Sequence, residues 1–314
     1  MPDVLFIKTS SLGDVIHHMP AVIDARKARP ETAFTWLVEE AFAPLVRLHP
    51  AVSHVIPVAW RRWRNSLYAP STMSEIAASL RTIRGRHFDD VVDTQGLLRS
   101  ALIARAARGR RHGYDSSSIR EPLASAFYDV RYRVSRDLHA VERNRALSGL
   151  ALGYSPQGAP DFGFDRARFS RTGSRYGLLL HATARPEKLW PEEHWTSLGR
   201  MLDRNTELRL PWGTDLERAR SERIAAAVPG ARVEERRPLD QVAALIAGAQ
   251  FVVGVDTGLL HLAAALGVPL VAIFTGSRPG LTGPAGSGPI AILGTDGAPP
   301  AVDAVIEAVG TVVR

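Results

Sequence analysis

Short apolar and β-branched runs alternate with longer amphipathic stretches along the whole chain. Runs of this length, separated by helical patterns, predict buried strands with helices between them. In the first half the predicted strands are residues 4–7, 34–38, 54–58 and 90–93. In the second half they are residues 177–181, 208–211, 231–234, 251–255, 270–274 and 290–293. Strands alternating with helices predict an α/β fold with two doubly wound, Rossmann-like parallel sheets.

The length of the chain favours two domains. Its 314 residues, 45% of them hydrophobic, exceed what one core ordinarily holds. Residues 153–173 include the segment SPQGAPDFG and few apolar side chains, which is typical of a linker. We therefore predict one domain over residues 1–165 and a second over residues 166–314.

The chain shows no pattern of secretion or of membrane insertion. The first apolar run is brief and follows an early acid, so it predicts a strand and not a signal peptide. Residues 258–276 carry no formal charge, but His261 and the sequence Gly267-Val268-Pro269 divide them into helix, turn and strand. Cysteine is absent, which excludes a disulfide framework and thiolate metal sites and favours a cytoplasmic protein.

Charge is distributed unevenly between the two halves. Residues 1–150 hold 22 Lys and Arg against 15 Asp and Glu, whereas the remainder holds 17 against 17. The whole net charge of +7 therefore belongs to the first half. This distribution predicts that the first half faces an anionic partner: a phosphorylated acceptor, a membrane surface or nucleic acid. Composition does not choose among the three.

The most informative segment is FVVGVDTGLLHLAAAL, residues 251–266, in which an apolar run meets a helical pattern at Asp256-Thr257-Gly258. The free N–H groups and the dipole of a helix that begins there favour a phosphate. His261 lies in the first part of the helical pattern. The alternative is that Asp256 or Thr257 only caps the helix and that His261 is an ordinary half-buried side chain.

Two further polar turns follow predicted strands in the second half. HATAR, residues 181–185, leads to KLWPEEHW, residues 188–195, where Pro191 and the two acids after it predict a helix start. LPWGT, residues 210–214, is followed by Glu217, which can accept hydrogen bonds from ribose hydroxyls. Histidines and carboxylates show no zinc-like spacing, so we expect no metal site in the protein.

The first predicted strand ends in KTSSLGD, residues 8–14, before a helical pattern from Val15 onward. This turn is neither a P-loop nor the dinucleotide fingerprint, which disfavours a nucleotide triphosphatase and a simple dehydrogenase. Asp14 is either an acid favoured by the helix dipole or a general base for an acceptor hydroxyl. Lys8 and Lys188 follow strands, where an ammonium group suits a phosphate oxygen.

Other polar segments of the first half remain open between binding and structure. AWRRWR, residues 59–64, interleaves arginine and tryptophan, which suits an anionic ligand with a flat or sugar-like face, or single-stranded nucleic acid. A solvated basic helix face is the alternative. Similar choices between polar anchor and structural ion pair apply to DTQG at 93–96, REP at 120–122 and HAVER at 139–143.

Taken together and in order, these segments resemble the lipopolysaccharide heptosyltransferase I family within glycosyltransferase family 9. The segments that match are KTSSLGD (8–14), RRWR (61–64), DTQGL (93–97), REPLAS (120–125), HAVER (139–143), LHAT with KLWPEEHW (180–195), LPWG (210–213) and VDTGLLHL (255–262). The resemblance implies a GT-B enzyme whose two Rossmann-like domains face a central cleft. It also implies inverting transfer of L-glycero-D-manno-heptose from ADP-heptose to Kdo of the lipid A inner core in lipopolysaccharide core biosynthesis.

The resemblance also implies roles for individual residues, with the acceptor bound by residues 1–165 and the donor by residues 166–314. It makes Asp14 the general base and Lys188 the second catalytic residue. The implied donor-binding residues are Thr183, Lys188, Glu217, Asp256, Thr257, Gly258 and His261. The implied acceptor-binding residues are Ser10, Gly13, Arg61, Arg62, Arg64, Gln95, Arg120 and His139.

By the same resemblance, the partners are ADP-heptose, Kdo-lipid A and the cytoplasmic face of the inner membrane, which the enzyme contacts peripherally. No nucleic-acid partner and no cofactor are expected. No metal ion is expected either, because Lys188 and the helix end offset the charge of the diphosphate. Two positions depart from the family pattern: Ala184 stands where a second threonine is common, and Arg237 where a methionine lines the adenine site.

Three other interpretations stay open at this point. A family 9 enzyme with another acceptor, such as heptosyltransferase II, uses the same donor. A nucleotide-sugar epimerase of the same fold releases sugar without a lipid acceptor. A non-enzymatic protein with a basic face binds RNA or membranes with an affinity that falls steeply with salt.

Overall fold

A computed structural model of the chain describes residues 1–169, 176–202 and 206–314. It divides into two compact units, Met1–Gly163 and Phe164–Arg314. Each unit contains a six-stranded parallel sheet. The predicted domain boundary at residue 165 lies close to this division, and residues 170–173 of the predicted linker lie outside the described residues.

The strands of the first unit are β1 (Asp3–Ile7), β2 (Ala33–Glu39), β3 (His54–Val58), β4 (His87–Asp93), β5 (Arg108–Tyr114) and β6 (Val130–Tyr132). Those of the second unit are β7 (Tyr176–Leu180), β8 (Glu207–Leu210), β9 (Ala231–Val233), β10 (Phe251–Val255), β11 (Leu270–Ile273) and β12 (Ile290–Leu293). Ten of them coincide with predicted strands to within a few residues. These ten confirm the predicted alternation of strand and helix.

Helices connect the strands in both units. In the first they are α1 (Leu12–Ala28), α2 (Ala43–Val46), α3 (Trp60–Trp63), α4 (Pro70–Arg84), α5 (Leu98–Ala106) and α6 (Ala140–Leu152). In the second they are α7 (Arg166–Phe169), α8 (Glu192–Met201), α9 (Asp215–Ala227), α10 (Leu239–Gly248), α11 (Gly258–Ala265) and α12 (Val302–Val312). Within the described ranges, none of these helices is long and apolar enough to cross a membrane.

The two sheets share one topology. The strand order is β3-β2-β1-β4-β5-β6 in the first unit and β12-β11-β10-β7-β8-β9 in the second. In each sheet the order reverses beside the first strand, between β1 and β4 and between β7 and β10. The loops that follow these strands diverge there and leave a crevice at the carboxyl ends of the strands, where ligands bind in folds of this type.

Strands β1, β7 and β10 form the centres of the two cores. All of β7 and β10, and all of β1 except Asp3, are buried, which explains their continuous apolar sequences. In the second unit Trp190 and Trp195 are fully buried against this sheet, with ring centroids 5.1 Å apart. The ends of the central strands are therefore rigid supports for the polar loops that follow them.

Strands β5 and β6 were not predicted, because their sequences are polar. The arginine-rich segment Arg108–Tyr114 nevertheless pairs with β4 and β6. Its polar side chains find partners on neighbouring strands: Arg111 pairs with Asp129, and the ring of His112 lies 3.0 Å from a carboxylate oxygen of Asp90. Polar strands near the edge of a sheet are stabilised by such cross-strand pairs and not by apolar burial.

A buried ion pair joins helices α1 and α6 of the first unit. The guanidinium Nε of Arg145 donates to Asp24 over 2.7 Å, and only 3% and 9% of the two side chains are exposed. Arg145 also donates to the carbonyl groups of Gln157 and Gly158 at the end of the unit. Arg145 therefore connects α1, α6 and the last segment of the first unit.

We predict that Arg145→Met lowers the free energy of unfolding of the first unit by about 3–5 kcal/mol, because it leaves Asp24 buried without its cation. The control is Lys27→Met, which breaks the exposed pair with Asp161 and costs at most about 1 kcal/mol. Urea denaturation of the two variants measures the difference. Equal losses in both would contradict the assignment.

Candidate functional site

The place where the strand order of a sheet reverses is called its switch point here. At the switch point of the first unit, between β1 and β4, the side chain of Gln95 connects the two loops. Its Oε1 accepts hydrogen bonds from the backbone N–H groups of Thr9 (2.9 Å) and Ser10 (3.1 Å). These bonds tie the loop after β4 to the loop after β1. Arg99 adds a hydrogen bond of 2.9 Å to the Ser10 hydroxyl. Gln95 and Ser10, both predicted acceptor residues, are thus brought together, with Gln95 shaping the backbone of the loop.

Asp14 lies in the first turn of α1 and takes part in a capping box. Its Oδ2 accepts hydrogen bonds from the backbone N–H (2.7 Å) and the hydroxyl (3.0 Å) of Ser11. The carboxylate is half-buried, and its Oδ1 accepts no hydrogen bond from the part of the chain that the structure describes. The structural role that the sequence left open is therefore present, and one oxygen remains available to a ligand.

Lys8 does not present its ammonium group to a ligand. It is buried, and its Nζ donates to the carbonyl of Thr94 (2.9 Å) and contacts Oδ1 of Asn144 (3.4 Å). Burial lowers the pKa of this ammonium, although the nearby carboxylates of Asp14 and Asp93 oppose the shift. The interpretation of Lys8 as a surface phosphate ligand is therefore wrong. It is a buried cation behind the loop.

Asp93 is also structural. Its carboxylate accepts hydrogen bonds from the N–H groups of Gln95 and Gly96 and from the hydroxyl of Tyr128 (2.8 Å). Burial raises the pKa of this carboxyl, while these hydrogen bonds act in the opposite direction. Gly96 adopts a positive φ of 68°, which a side chain would strain. The DTQG segment thus folds as a tight turn that points Gln95 at the first loop.

The RRWR segment contains arginines of different kinds. Arg62 is held between Glu40 (3.1 Å) and Glu75 (2.7 Å) on the surface of the unit. Arg61 stacks over the ring of Phe42, with 4.9 Å between the guanidinium carbon and the ring centroid. Arg64 is exposed and forms no ion pair with a described residue. Only Arg61 and Arg64 thus keep a positive charge without a carboxylate partner in the described chain.

Trp63 of this segment has a structural role. Trp63 is buried, and its indole N–H donates to Glu75 over 2.8 Å, the carboxylate that also binds Arg62. This arrangement does not present alternating rings and charges on one open face. The segment therefore resembles an ion-paired helix more than a stacking platform for nucleic acid.

The three remaining acceptor candidates lie near the same carboxyl edge. Gly13 is buried in the first turn of α1. Arg120 is exposed after β5 and close enough to Lys8 to lower the pKa of its ammonium. His139 caps α6, with its Nδ1 accepting from the N–H of Val141 over 3.3 Å. Arg120 thus adds an exposed cation to the edge, whereas His139 has a capping role.

Thr183 closes the switch point of the second unit. Its hydroxyl donates to the carbonyl of Asp256 over 3.0 Å, which joins the loop after β7 to the loop after β10. Gln95 makes the equivalent connection in the first unit. Thr183 and Asp256, which the sequence placed on separate turns, therefore meet at one point.

Asp256 is the centre of a compact charged cluster. Its Oδ2 accepts hydrogen bonds from Lys188 Nζ (2.5 Å) and Ser277 Oγ (2.6 Å), and its Oδ1 lies 3.7 Å from Nε2 of His261. Burial acts to raise the pKa of this carboxyl, but the nearby imidazole of His261 and the hydrogen bonds from Lys188 and Ser277 prevail and hold it well below its ordinary value. Asp256 is therefore a permanent carboxylate with a cation ready beside it.

The amino terminus of α11 lies directly beside this cluster. Thr257 precedes the helix in an extended conformation, and Gly258 is its first residue. No side chain in the described chain caps this end, so the first N–H groups stay available to an acceptor. These N–H groups and the Lys188 ammonium, which is paired with Asp256, are the hydrogen-bond donors that a diphosphate can use here.

Glu217 lies at the start of α9, after the neighbouring strand β8. Its Oε2 accepts from the N–H groups of Gly213 (2.7 Å) and Thr214 (3.1 Å) in a capping box. The other carboxylate oxygen points to no partner among the described residues.

Arg237, one of the two departures from the family pattern, pairs with Glu234 over 2.9 Å, so its charge is compensated. The other departure, Ala184, is exposed and adds no polar group.

Ser277 is a residue of the Asp256 cluster that was not predicted from the sequence. Thr275-Gly276-Ser277 nevertheless follows β11 after one residue, Phe274, much as Asp256 follows β10. The strand with a small polar turn after it was therefore a signal in the sequence. Arg99, which binds Ser10, had no such signal, because it lies inside a helix.

Clusters of three or more His, Asp or Glu side chains that could hold a metal ion do not occur among the described residues.

The comparisons define the class of protein first. A model of glycosyltransferase family 9 (heptosyltransferase) matches residues 76–305. This span covers more than half of the chain, and the chain belongs to this family of glycosyl-transferring enzymes. The motifs of the switch points and the fold support the same assignment.

Particular relatives narrow the class further. The chain is 46% identical over 285 residues to lipopolysaccharide heptosyltransferase 1 of Pseudomonas aeruginosa, covering 89% of this chain and 80% of that protein. It is 43% identical over 286 residues to the protein of that name from Escherichia coli K12, covering 89% and 90%. The E. coli heptosyltransferase WaaC with ADP superimposes with a TM-score of 0.92 at 40% identity, covering 98% of this chain and 99% of WaaC. WaaC with ADP-2-deoxy-2-fluoro heptose gives a TM-score of 0.90. The predicted resemblance and the predicted GT-B fold class are confirmed.

His181 lies between β7 and Thr183 and supports the loop from behind. It is completely buried, and its Nε2 lies 2.7 Å from the hydroxyl of Ser221. Burial lowers its pKa to about 4, and the nearby Arg220 contributes to the shift. At neutral pH the ring is therefore uncharged.

We predict that the free energy of unfolding falls as the pH is lowered from about 6.5 to about 4, since the unfolded chain binds a proton that folded His181 excludes. His181→Gln removes up to about 3 kcal/mol of this pH dependence. Denaturation at several pH values measures the difference from the wild type. The exposed His54 gives the control His54→Gln, and an unchanged pH dependence in His181→Gln would contradict the assignment.

Proposed function

We propose that this enzyme transfers L-glycero-D-manno-heptose from ADP-heptose to Kdo of the lipid A inner core, with inversion at the anomeric carbon. The observation that carries the proposal is the cluster of Asp256, Lys188 and the amino terminus of α11. A single diphosphate can accept hydrogen bonds from the Lys188 ammonium and from the first N–H groups of α11. The identity of 43–46% to lipopolysaccharide heptosyltransferases 1 supports heptose as the sugar.

The donor is bound by the second unit. The diphosphate accepts hydrogen bonds from the first N–H groups of α11 and from Lys188, while the free oxygen of Glu217 accepts from a ribose hydroxyl. Thr183 and His261 border the cluster and contact the diphosphate and heptose. As the bond between the anomeric carbon and the diphosphate breaks, Lys188 and the helix end stabilise the charge that develops on ADP, without a metal ion.

The acceptor is activated by the first unit. The free Oδ1 of Asp14 takes the proton of the Kdo hydroxyl while the hydroxyl oxygen forms its bond to the anomeric carbon. ADP leaves from the opposite face, so the configuration inverts. Ser11 holds the other oxygen of Asp14 and fixes the orientation of the carboxylate. Capping and catalysis are therefore compatible in one side chain.

The positive charge of the first unit matches the acceptor. Arg61, Arg64 and Arg120 are exposed at its carboxyl edge, where Kdo carboxylates and lipid A phosphates are the anions to be bound. The net charge of +7 in residues 1–150 also favours peripheral contact with an anionic membrane surface. Together with the identity to lipopolysaccharide heptosyltransferases 1, this charge supports the proposal that the enzyme contacts the cytoplasmic face of the inner membrane.

We predict that Asp14→Asn lowers kcat by about 10²–10⁴-fold, because the amide cannot accept the proton. Its side-chain oxygen still accepts from Ser11, so the helix cap and the binding of ADP-heptose are retained. Release of ADP in the presence of Kdo-lipid A measures kcat, and calorimetry measures donor binding. Asp161→Asn is the control, since Asp161 also accepts a backbone hydrogen bond, from Gly163. Near-normal kcat in Asp14→Asn would refute the role of the base.

We predict that Arg64→Gln raises KM for the Kdo-lipid A acceptor about three- to fivefold, because an exposed cation to a ligand anion is lost. KM for ADP-heptose stays unchanged. Arg62→Gln in the same RRWR segment changes the acceptor KM less, since Glu40 and Glu75 already neutralise Arg62. Steady-state kinetics with each substrate varied in turn measure both effects. The reverse ranking of the two variants would count against the acceptor site.

A further inference from the structure

We infer that the turn Thr275-Gly276-Ser277 is a positioning element of the donor site, and that Ser277 keeps Asp256 in place when Lys188 leaves it to bind the donor diphosphate. This inference rests on the proposed function, because it concerns the binding of ADP-heptose. The turn belongs to a region to which the sequence assigned no functional residue.

The first observation is that two donors share one carboxylate oxygen. Lys188 Nζ lies 2.5 Å and Ser277 Oγ 2.6 Å from Oδ2 of Asp256. The imidazole of His261 lies on the other side of the carboxylate, 3.7 Å from Oδ1. The ammonium group and the serine hydroxyl thus satisfy Oδ2 together in the free enzyme.

The second observation is that the same turn holds the segment that carries Lys188. The Thr275 hydroxyl donates to the carbonyl of Glu187 over 2.9 Å, and Glu187 is the residue before Lys188. A Cβ added to Gly276 would collide with that same carbonyl, so the backbones approach as closely as glycine allows. One turn therefore anchors both partners of the Lys188–Asp256 ion pair.

The exchange of Lys188 between two anions explains why such an anchor is needed. In the free enzyme Lys188 forms an ion pair with Asp256, and the side chain of Lys188 is only 17% exposed. A donor diphosphate adds a second anion that competes for the ammonium group. When Lys188 turns to the diphosphate, Oδ2 of Asp256 loses one donor in a half-buried position, which is costly unless another donor remains.

Ser277 supplies that remaining donor. Its hydroxyl is neutral, so the diphosphate does not attract it away from Asp256 as it attracts the ammonium group. The carboxylate of Asp256 therefore keeps a hydrogen-bond donor. Loss of the hydroxyl is therefore felt less in the free enzyme, where Lys188 still satisfies Oδ2, than in the donor complex. Ser277 acts through Asp256 and Lys188 and is a positioning residue.

The test compares Ser277→Ala, Ser277→Thr and the control Ser197→Ala, which removes an exposed hydroxyl from α8 of the same unit. Calorimetry measures the binding of ADP, steady-state kinetics give KM for ADP-heptose and kcat, and thermal unfolding reports on folding. We expect Ser277→Ala to weaken ADP binding and to raise KM for ADP-heptose about tenfold each. We expect kcat to stay within about threefold, because the loss is one of binding.

Ser277→Thr keeps the hydroxyl and is expected to bind ADP within about twofold of the wild type, as is Ser197→Ala. Wild-type ADP affinity in Ser277→Ala would overturn the inference, whether or not its melting temperature falls. Equal losses in Ser277→Ala and Ser277→Thr would also overturn it, since the hydroxyl would then not matter. A wild-type protein that is folded but binds neither ADP nor ADP-heptose would refute the proposed function itself, which is a different outcome.

Discussion

The reversal of strand order beside the first strand of each sheet is the constraint on which the polar loops of both units depend. Parallel sheets send the loops after neighbouring strands in opposite directions at this point, and a crevice opens between them. In both units a side chain from one loop then bonds to the backbone of the other: Gln95 to Thr9 and Ser10, and Thr183 to Asp256. These bonds fix the polar loops while leaving their functional groups at the edge.

Electrostatics then separates the tasks of the two units. In the second unit the positive charge of Lys188 is paired with the carboxylate of Asp256. In the first unit a buried cation, Lys8, lies behind the loop, and the exposed cations Arg64 and Arg120 lie at the edge. A compact site with one paired lysine suits a diphosphate, whereas scattered arginines suit a larger acceptor with several anionic groups.

The fold was largely predictable, because ten strands are apolar runs between helical patterns. Strands β5 and β6 were not, since Arg111 and His112 are stabilised by Asp129 and Asp90 and not by burial in an apolar core. Patterns of hydrophobic residues carry no information about such pairs.

The site was predictable where a polar turn follows a strand, as at Asp256 and Thr183. The contacts of long side chains were not, because they depend on the register between elements distant in sequence. Lys8 shows this limit: its position after a strand suggested a phosphate ligand, yet Thr94 and Asn144 bind its ammonium group. Asp14 shows another, since the sequence did not reveal that Ser11 bonds to one oxygen of its carboxylate, Oδ2.

The most direct measurement of the central claim is the structure of the product. The purified enzyme is incubated with ADP-heptose and Kdo-lipid A, and the product is analysed by mass spectrometry and NMR for the attachment site and the anomeric configuration. The proposed reaction yields one heptose on a Kdo hydroxyl, with the anomeric configuration opposite to that of the donor and one ADP released per heptose transferred. Free heptose, retained configuration or attachment elsewhere on the lipid would contradict it.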